Sequence, residues 1–271
     1  MKAAAANICA DVVAQSALTA AEREAMFELL AAHFEGVTRE QFARDLAEKN
    51  WVLRLTGAGR LVGFSTVLAY ETECAGERLA VIYSGDTIVA PEAWGGTTLA
   101  RAWIAAVNEV RATLGAGRCV WLLLTSGFRT YRFLPVFWRE FWPRWDAPTP
   151  PGQQRLLAQL AGERFGAEFD GATGIVRFAR PQRLRAGLQE VPDGRREDPH
   201  VAFFLARNAG HARGDELVCV TEIAAGNLTA AGRRMAAESS KFKVQSSREA
   251  ARGKGTEFGF GGGGRGSVDR H

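Results

Sequence analysis

"SGDTIVAPEAWGGTTLARAW", residues 84–103, is the stretch on which the reading of the fold turns. It runs as a strand that stops at Pro91, turns through Gly95 and Gly96, and enters a helix over residues 97–114. In that helix Leu99, Ala102, Trp103, Ala106, Val107 and Val110 recur as one apolar face. A strand-to-helix turn of this kind gathers backbone N–H groups at the positive end of a helix, where anions bind. Gly95 and Gly96 put no Cβ in the path of a phosphate, and Thr97 and Thr98 add hydroxyl donors. The same residues also read simply as a joint between two elements with a threonine cap.

Upstream, Thr19 and Glu22 stand in the relation of a capping box, and Met26, Leu29, Leu30 and Phe34 follow at helical spacing. Thr38 and Gln41 open a second helix with Phe42 and Leu46 facing inward. "WVLRLTGAGRLVGFSTVLAY" (51–70) is a hairpin, and "GERLAVIYSGDTIVA" (76–90) supplies one or two more strands. Downstream, "RCVWLLLT" (118–125) is apolar almost throughout, as a strand buried on both faces requires. An aromatic, arginine-rich segment broken by Pro135 and Pro143 follows. Beyond it come a helix of about 15 residues ending near Phe165, a short strand in "GIVRFAR", a helix in "DPHVAFFLARN", a strand in "DELVCVTEI" and a terminal helix capped by Asn227 or Thr229.

The 271 residues are 46% apolar and 24% charged, the balance of an ordinary globular protein. The stretch from Glu238 onward holds seven lysines and arginines against four acids, so three of the four net positive charges lie there. The remaining body is close to neutral, which argues against a nucleic-acid partner. Cys9, Cys74, Cys119 and Cys219 lack metal or redox spacing and read as free thiols. His200 and His211 stand too far apart for a metal motif, so no metal is expected. No apolar run is long enough to span a membrane, and Asp11 interrupts the N-terminal one, so a cytoplasmic protein without a membrane partner is expected.

The order of elements and the turn together resemble the GNAT (GCN5-related) acyltransferase family over residues 18–145. In that family a V-x-P-x-x-(Arg/Gln)-G-x-G-x-(Gly/Ala) element joins the fourth strand to the third helix. Val89, Pro91 and Gly95 match it, while Trp94, Thr97 and Leu99 stand at the Arg/Gln, second Gly and final Gly/Ala positions. The resemblance implies an α/β fold, a mixed twisted sheet flanked by helices. The expected organisation is a GNAT-like domain over 1–150, an α+β C-terminal extension packed on it over 151–237, and a disordered basic, Gly- and Ser-rich tail over 238–271. It further implies a co-substrate, acyl-CoA or an acyl group on phosphopantetheine. Ile88 and Val89 would hold the pantetheine, and Trp94 through Leu99, with Gly95, Gly96, Thr97 and Thr98, would cradle phosphate.

Asp86 is out of keeping with its apolar neighbours, and burial would raise its pKa towards that of a working base; local bonding at a strand bulge is the other reading. The family's acid is a tyrosine in the fourth helix, where this chain has Phe137 or Trp138. Tyr131 is the nearest substitute, with Ser126 and Tyr83 as further candidates and a structural tether as the other role for Tyr131. Arg129, Arg132, Phe133, Phe137 and Trp138 belong either to the core or to an apolar acyl slot rimmed by guanidinium groups. The expected activity is transfer of an acyl group from CoA or an acyl carrier protein to an amine of a small molecule or peptide. The alternative is a non-catalytic protein of this fold that binds a lipid or partner protein in an aromatic groove.

Overall fold

A computed structural model of the chain describes residues 8–94, 97–115 and 117–238. The predicted turn glycines Gly95 and Gly96, and the tail from residue 239 on, lie outside the described residues. The first strand, β1 (Ile8–Ala14), was not anticipated: Asp11 breaks its apolar run, and that carboxylate pairs with Arg54 on the neighbouring strand. α1 (Ala20–His33) opens on the expected capping box, with Glu22 N donating to Thr19 Oγ1 at 3.2 Å and Thr19 N to the Glu22 carboxylate at 2.8 Å. After β2 (Phe34–Glu35), Thr38 caps α2 (Arg39–Ala47) by accepting from Gln41 N.

β3 (Trp51–Gly57), β4 (Arg60–Cys74) and β5 (Glu77–Val89) form an antiparallel meander, so the segment before the proline is one long strand. α3 (Thr98–Thr113) leads to β6 (Arg118–Thr125), and α4 (Phe128–Tyr131), α5 (Phe133–Phe137) and β7 (Phe141–Trp142) make up the aromatic segment. There follow α6 (Pro151–Phe165), the short β8 (Phe169–Asp170), β9 (Ile175–Val176) and β10 (Arg183–Leu184), then α7 (Asp193–Arg196), α8 (Pro199–Arg207), β11 (Glu216–Glu222) and α9 (Ala230–Glu238). Thr229 caps α9 by accepting from Gly232 N at 3.0 Å.

The main sheet runs β1-β3-β4-β5-β6-β11-β9-β8 with β7 also on β11, and β10 pairs separately with β2. It is mostly antiparallel; β5 and β6 are its parallel pair among the described residues. This is the mixed sheet flanked by helices that was expected. The segment 151–237, however, is woven into the sheet and not laid on it, because β11 pairs with β6 from Leu217–Thr125 to Glu222–Val120.

The near-continuous apolar run of β6 follows from this central place. Cys119, Trp121 and Leu123 pack towards α3, while Val120 and Leu122 pack towards α6 on the opposite face. Each such side chain removed from water stabilises the fold by about 1.5–3 kcal/mol. α1 and α2 cover Val52, Phe64 and Ile88 on the α6 face. One face of the sheet therefore carries α1, α2 and α6, and the other carries α3 and α9.

Candidate active site

β5 and β6 run side by side from Leu79–Arg118 to Ser84–Leu123 and then part. Beyond that point β5 stays bonded to β4, through Thr87–Ser65, Ile88–Phe64 and Val89–Gly63, while β6 ends on β11 at Thr125–Leu217. The parting begins at a bulge, where Gly85 and Asp86 together stand opposite the single residue Thr66. Strict alternation would put Tyr83 and Asp86 on opposite faces of the sheet. The extra residue turns both towards α2 and α6. A side chain at Gly85 has no room: its Cβ would lie 2.7 Å from Thr66 Oγ1 and 2.9 Å from Lys49 Cε.

In front of this bulge lies a cavity of about 490 Å³, walled by β5, the end of β6, α2, α6 and the chain around Phe178–Gln182. Tyr83, Asp86, Ser126, Lys49, Arg164 and Glu216 all open on it. Asp86 and Glu216 are set deep among protein atoms, and poor solvation of their charged forms is the main cause of their shifts. The Asp86 carboxyl is pushed up to about 6, with the Lys49 ammonium opposing the rise and Asp45 adding to it. Glu216 is pushed up to about 8, with the Asp86 charge adding to the effect. Asp45 is raised for the same reason, against the pull of Lys49. Near pH 7 one of the facing carboxyls is thus mostly ionised and the other mostly protonated, the division of labour that acid–base catalysis needs.

Lys49 is 4% exposed. Its ammonium donates to Asp45 O at 2.8 Å and lies 5.5 Å from the Tyr83 ring centre. Burial lowers its pKa first, and the nearby Arg164 charge lowers it further, against the pull of Asp86, Glu48 and Asp45. Arg164 itself pairs with Glu48 and stacks 5.1 Å from the same ring. Burial also raises the Tyr83 phenol far above its ordinary value.

Further along β5, Ala90 N continues the ladder by donating to Val62 O at 2.8 Å. By the parity of an antiparallel ladder, Thr87 and Val89 then turn their backbone groups away from β4, into the gap that β6 has left. Ile88 does not share in this. Its backbone is on the β4 side of the ladder and its side chain is buried against α1 and α2, so it is not placed to hold a pantetheine. The Val89 carbonyl already accepts from Trp94 Nε1 at 2.7 Å, which leaves its N–H. Thr97, the N-cap of α3, does not cap it by a side-chain bond; its hydroxyl accepts from Arg101 at 2.6 Å. Thr98 is half-buried, and Leu99 packs into the apolar layer beneath α3. The Arg129 guanidinium, 4.3 Å from the Trp94 ring centre, stands beside the motif position that carries arginine in the resembled family.

Several expectations are corrected. Tyr131 is wholly buried among Phe141, Phe203 and Phe204, and its hydroxyl donates to Pro143 O at 3.0 Å, so it tethers a loop and does not reach the cavity. Phe133, Phe137 and Trp138 pack on Trp121 and one another, and so form core in place of an acyl slot or an aromatic groove. Arg132 is held by Asp198 at 3.0 Å, and Arg129 N–H donates to Leu188 O at 2.7 Å; neither lines the cavity. Asp86, Tyr83 and Ser126 are brought together there. The sequence reading missed Lys49 and Glu216. Glu216 carried the signal that marked Asp86, an acid at the edge of an apolar run.

Cys9, Cys74, Cys119 and Cys219 are free, the last two buried. Among the described residues there is no cluster of metal-ligating side chains, and no helix is long and apolar enough to cross a membrane.

No protein-family model and no curated protein matches the chain. Among solved structures it is similar to a protein of unknown function from Enterococcus faecalis described as a probable N-acyltransferase, at 15% identity over 50% of this chain and 33% of that one, with a TM-score of 0.38. A GCN5-related N-acetyltransferase from Kribbella flavida is similar at 17% identity over 46% and 32%, with a TM-score of 0.37. A GNAT family N-acetyltransferase from Escherichia coli in complex with CoA is similar at 16% identity over 49% and 71%, with a TM-score of 0.34. The chain spans about a third of the length of the first two.

Proposed function

We propose that the chain is an N-acyltransferase that moves an acyl group from a thioester, on CoA or on a carrier protein, to an amine seated in the cavity. The observation that carries this reading is the parting of β5 and β6, with Asp86 aimed by a bulge into the cavity on one face and the start of α3 on the other. A thioester lying in the gap would have its acyl carbon between the two faces. On the donor side the fit rests on the Val89 N–H, the first turn of α3, which lacks a side-chain cap, and Arg129 beside Trp94.

Asp86 takes a proton from the incoming ammonium, directly or through a water. The freed amine nitrogen attacks the thioester carbonyl carbon; a C–N bond forms, the C–S bond breaks, and the second proton that the attached nitrogen must lose passes to water in the open cavity. The departing thiolate takes a proton from Glu216, whose raised pKa of about 8 is close to the roughly 8.5 of a free thiol. Tyr83, with its phenol raised far beyond that range, bonds to the reacting groups without giving up its proton.

The test is thiol release and product mass from acyl-CoA donors with a panel of amines. The Asp86→Asn variant should fold as the parent does and lose about 10²–10⁴-fold in rate. A wild-type rate in that variant, or no thiol release with any donor and amine, removes the reading.

A further inference from the structure

We propose that the ligand of this cavity is a bipolar amine, its amino group among Asp45, Asp86 and Glu216 and an anionic group, carboxylate or phosphate, at the mouth beside Arg44 and Arg180. The proposal rests on the reading of the cavity as the acceptor site and names the class of molecule that fills it.

The charges lining the cavity are not evenly spread. At its inner end the carboxyls of Asp45, Asp86 and Glu216, the last mostly protonated near pH 7, face one ammonium, which donates to the Asp45 carbonyl. No hydrogen bond or ion pair from the described residues reaches the Asp86 or Glu216 carboxylate. At the mouth the arrangement reverses. Arg44 and Arg180 are exposed and line the opening, and neither has a carboxylate partner among the described residues. Of the other charges lining it, Arg164 pairs with Glu48, and the Glu168 carboxylate accepts from Ala179 N at 2.9 Å, so two arginines against one acid leave the mouth with one positive charge in excess. Phe165 also lines the cavity, edge-on to Tyr83 at 6.0 Å and to Phe178 at 6.2 Å. Such a wall suits a spacer of several carbons.

Tyr83 supplies a further polar group that a ligand can use. It is 7% exposed and opens on the cavity, and its hydroxyl has no protein partner among the described residues. The hydroxyl is open to the cavity, so an occupant can take the place of water as its hydrogen-bond partner. A simple monoamine would leave the two mouth arginines unused. A diamine would bring a second cation against them. An anionic terminus meets two guanidinium groups, which bind carboxylate and phosphate through paired N–H donors.

The experiment is calorimetric titration of the full chain at pH 7, without acyl donor, using 6-aminohexanoate, 5-aminopentyl phosphate, 1,6-diaminohexane and hexylamine. The two bipolar probes should bind at least about tenfold more tightly than the diamine and the monoamine. In the Arg44→Ala/Arg180→Ala double variant, checked for an unchanged melting temperature, that advantage should vanish while hexylamine affinity holds. The order of the two bipolar probes distinguishes carboxylate from phosphate. Tightest binding of the diamine, no advantage for the bipolar probes, an advantage that survives in the double variant, or no binding of any probe at millimolar concentration overturns the proposal. Bipolar binding without thiol release from acyl-CoA would leave this assignment standing and remove the transferase reading, so the two fail separately.

Discussion

Glu216 is a carboxyl held where water solvates it poorly, and that has a cost which depends on pH. Burial raises it from an ordinary 4.5 to about 8. Between those values the folded chain keeps a proton that the unfolded chain has released. The stability linked to this proton is complete below about pH 4.5 and is lost as pH rises through about 8. Asp86, raised from 3.8 to about 6, acts with the same sign over a lower window. Glu216→Gln has no charge to desolvate. It should therefore be more stable than the parent at pH 8.5, by up to roughly 5 kcal/mol at 1.36 kcal/mol per pKa unit, with a correspondingly higher melting temperature, and match it near pH 4.5. The same variant should turn over more slowly, because the proton offered to the thiolate is gone. Thermal unfolding at the two pH values is the measurement; an equal shift at both would mean that Glu216 is not held in the protonated state. Asp86 and Glu216 bore the same mark in the sequence, an acid beside apolar residues. One was singled out because a strand-to-helix turn followed it closely. The other lies 130 positions further on, and nothing local shows that β11 brings it to the same cavity.

At the scale of the element, the bulge on β5 does two things at once: it aims Asp86 and it starts the separation from β6. Asp86 had been read either as a base or as an acid bonded locally at a strand bulge; the bulge is there, no local bond holds the carboxylate among the described residues, and the bulge is what would aim the proposed base. A glycine inside a strand marks such a place, but its partner Thr66 and the overhanging Lys49 appear only when the strands are paired. Gly85→Ala should cost about 1–3 kcal/mol, because its Cβ meets Thr66 Oγ1 at 2.7 Å. That hydroxyl is buried and has no partner, so removing it sacrifices little. In Gly85→Ala/Thr66→Ala most of the loss should return, with a coupling of about 0.5–3 kcal/mol in a double-mutant cycle. Additive losses in denaturant melts would show that the contact with Thr66 is not what excludes a side chain at Gly85.

For the molecule as a whole, the elements were more legible than their assembly. The caps of α1, α2 and α9, the long helix after the turn and the buried β6 follow from local spacing, and all are present. The expected boundary at residue 150 is where local reading fails, since strand pairing depends on partners far apart in the chain. β6 read as a strand buried on both faces, and the residues that bury it come from both sides of that boundary: Trp103 and Val107 from α3, but Leu156 and Leu160 from α6. On its far edge it is β11 that takes up the hydrogen bonds from Val120 to Thr125. Without the segment after residue 150, β6 would be an exposed edge with the apolar face under α6 uncovered, a surface that favours association between chains. A fragment of residues 1–150 should therefore aggregate or unfold without cooperativity. The chain through residue 238 should melt in one transition, with probes before and after residue 150 giving the same midpoint. Light scattering and calorimetry on the two forms make the comparison. A cooperative, monomeric melt of the short fragment would mean that the first half carries its own core and that Glu216 is brought to the cavity by docking, not by the sheet.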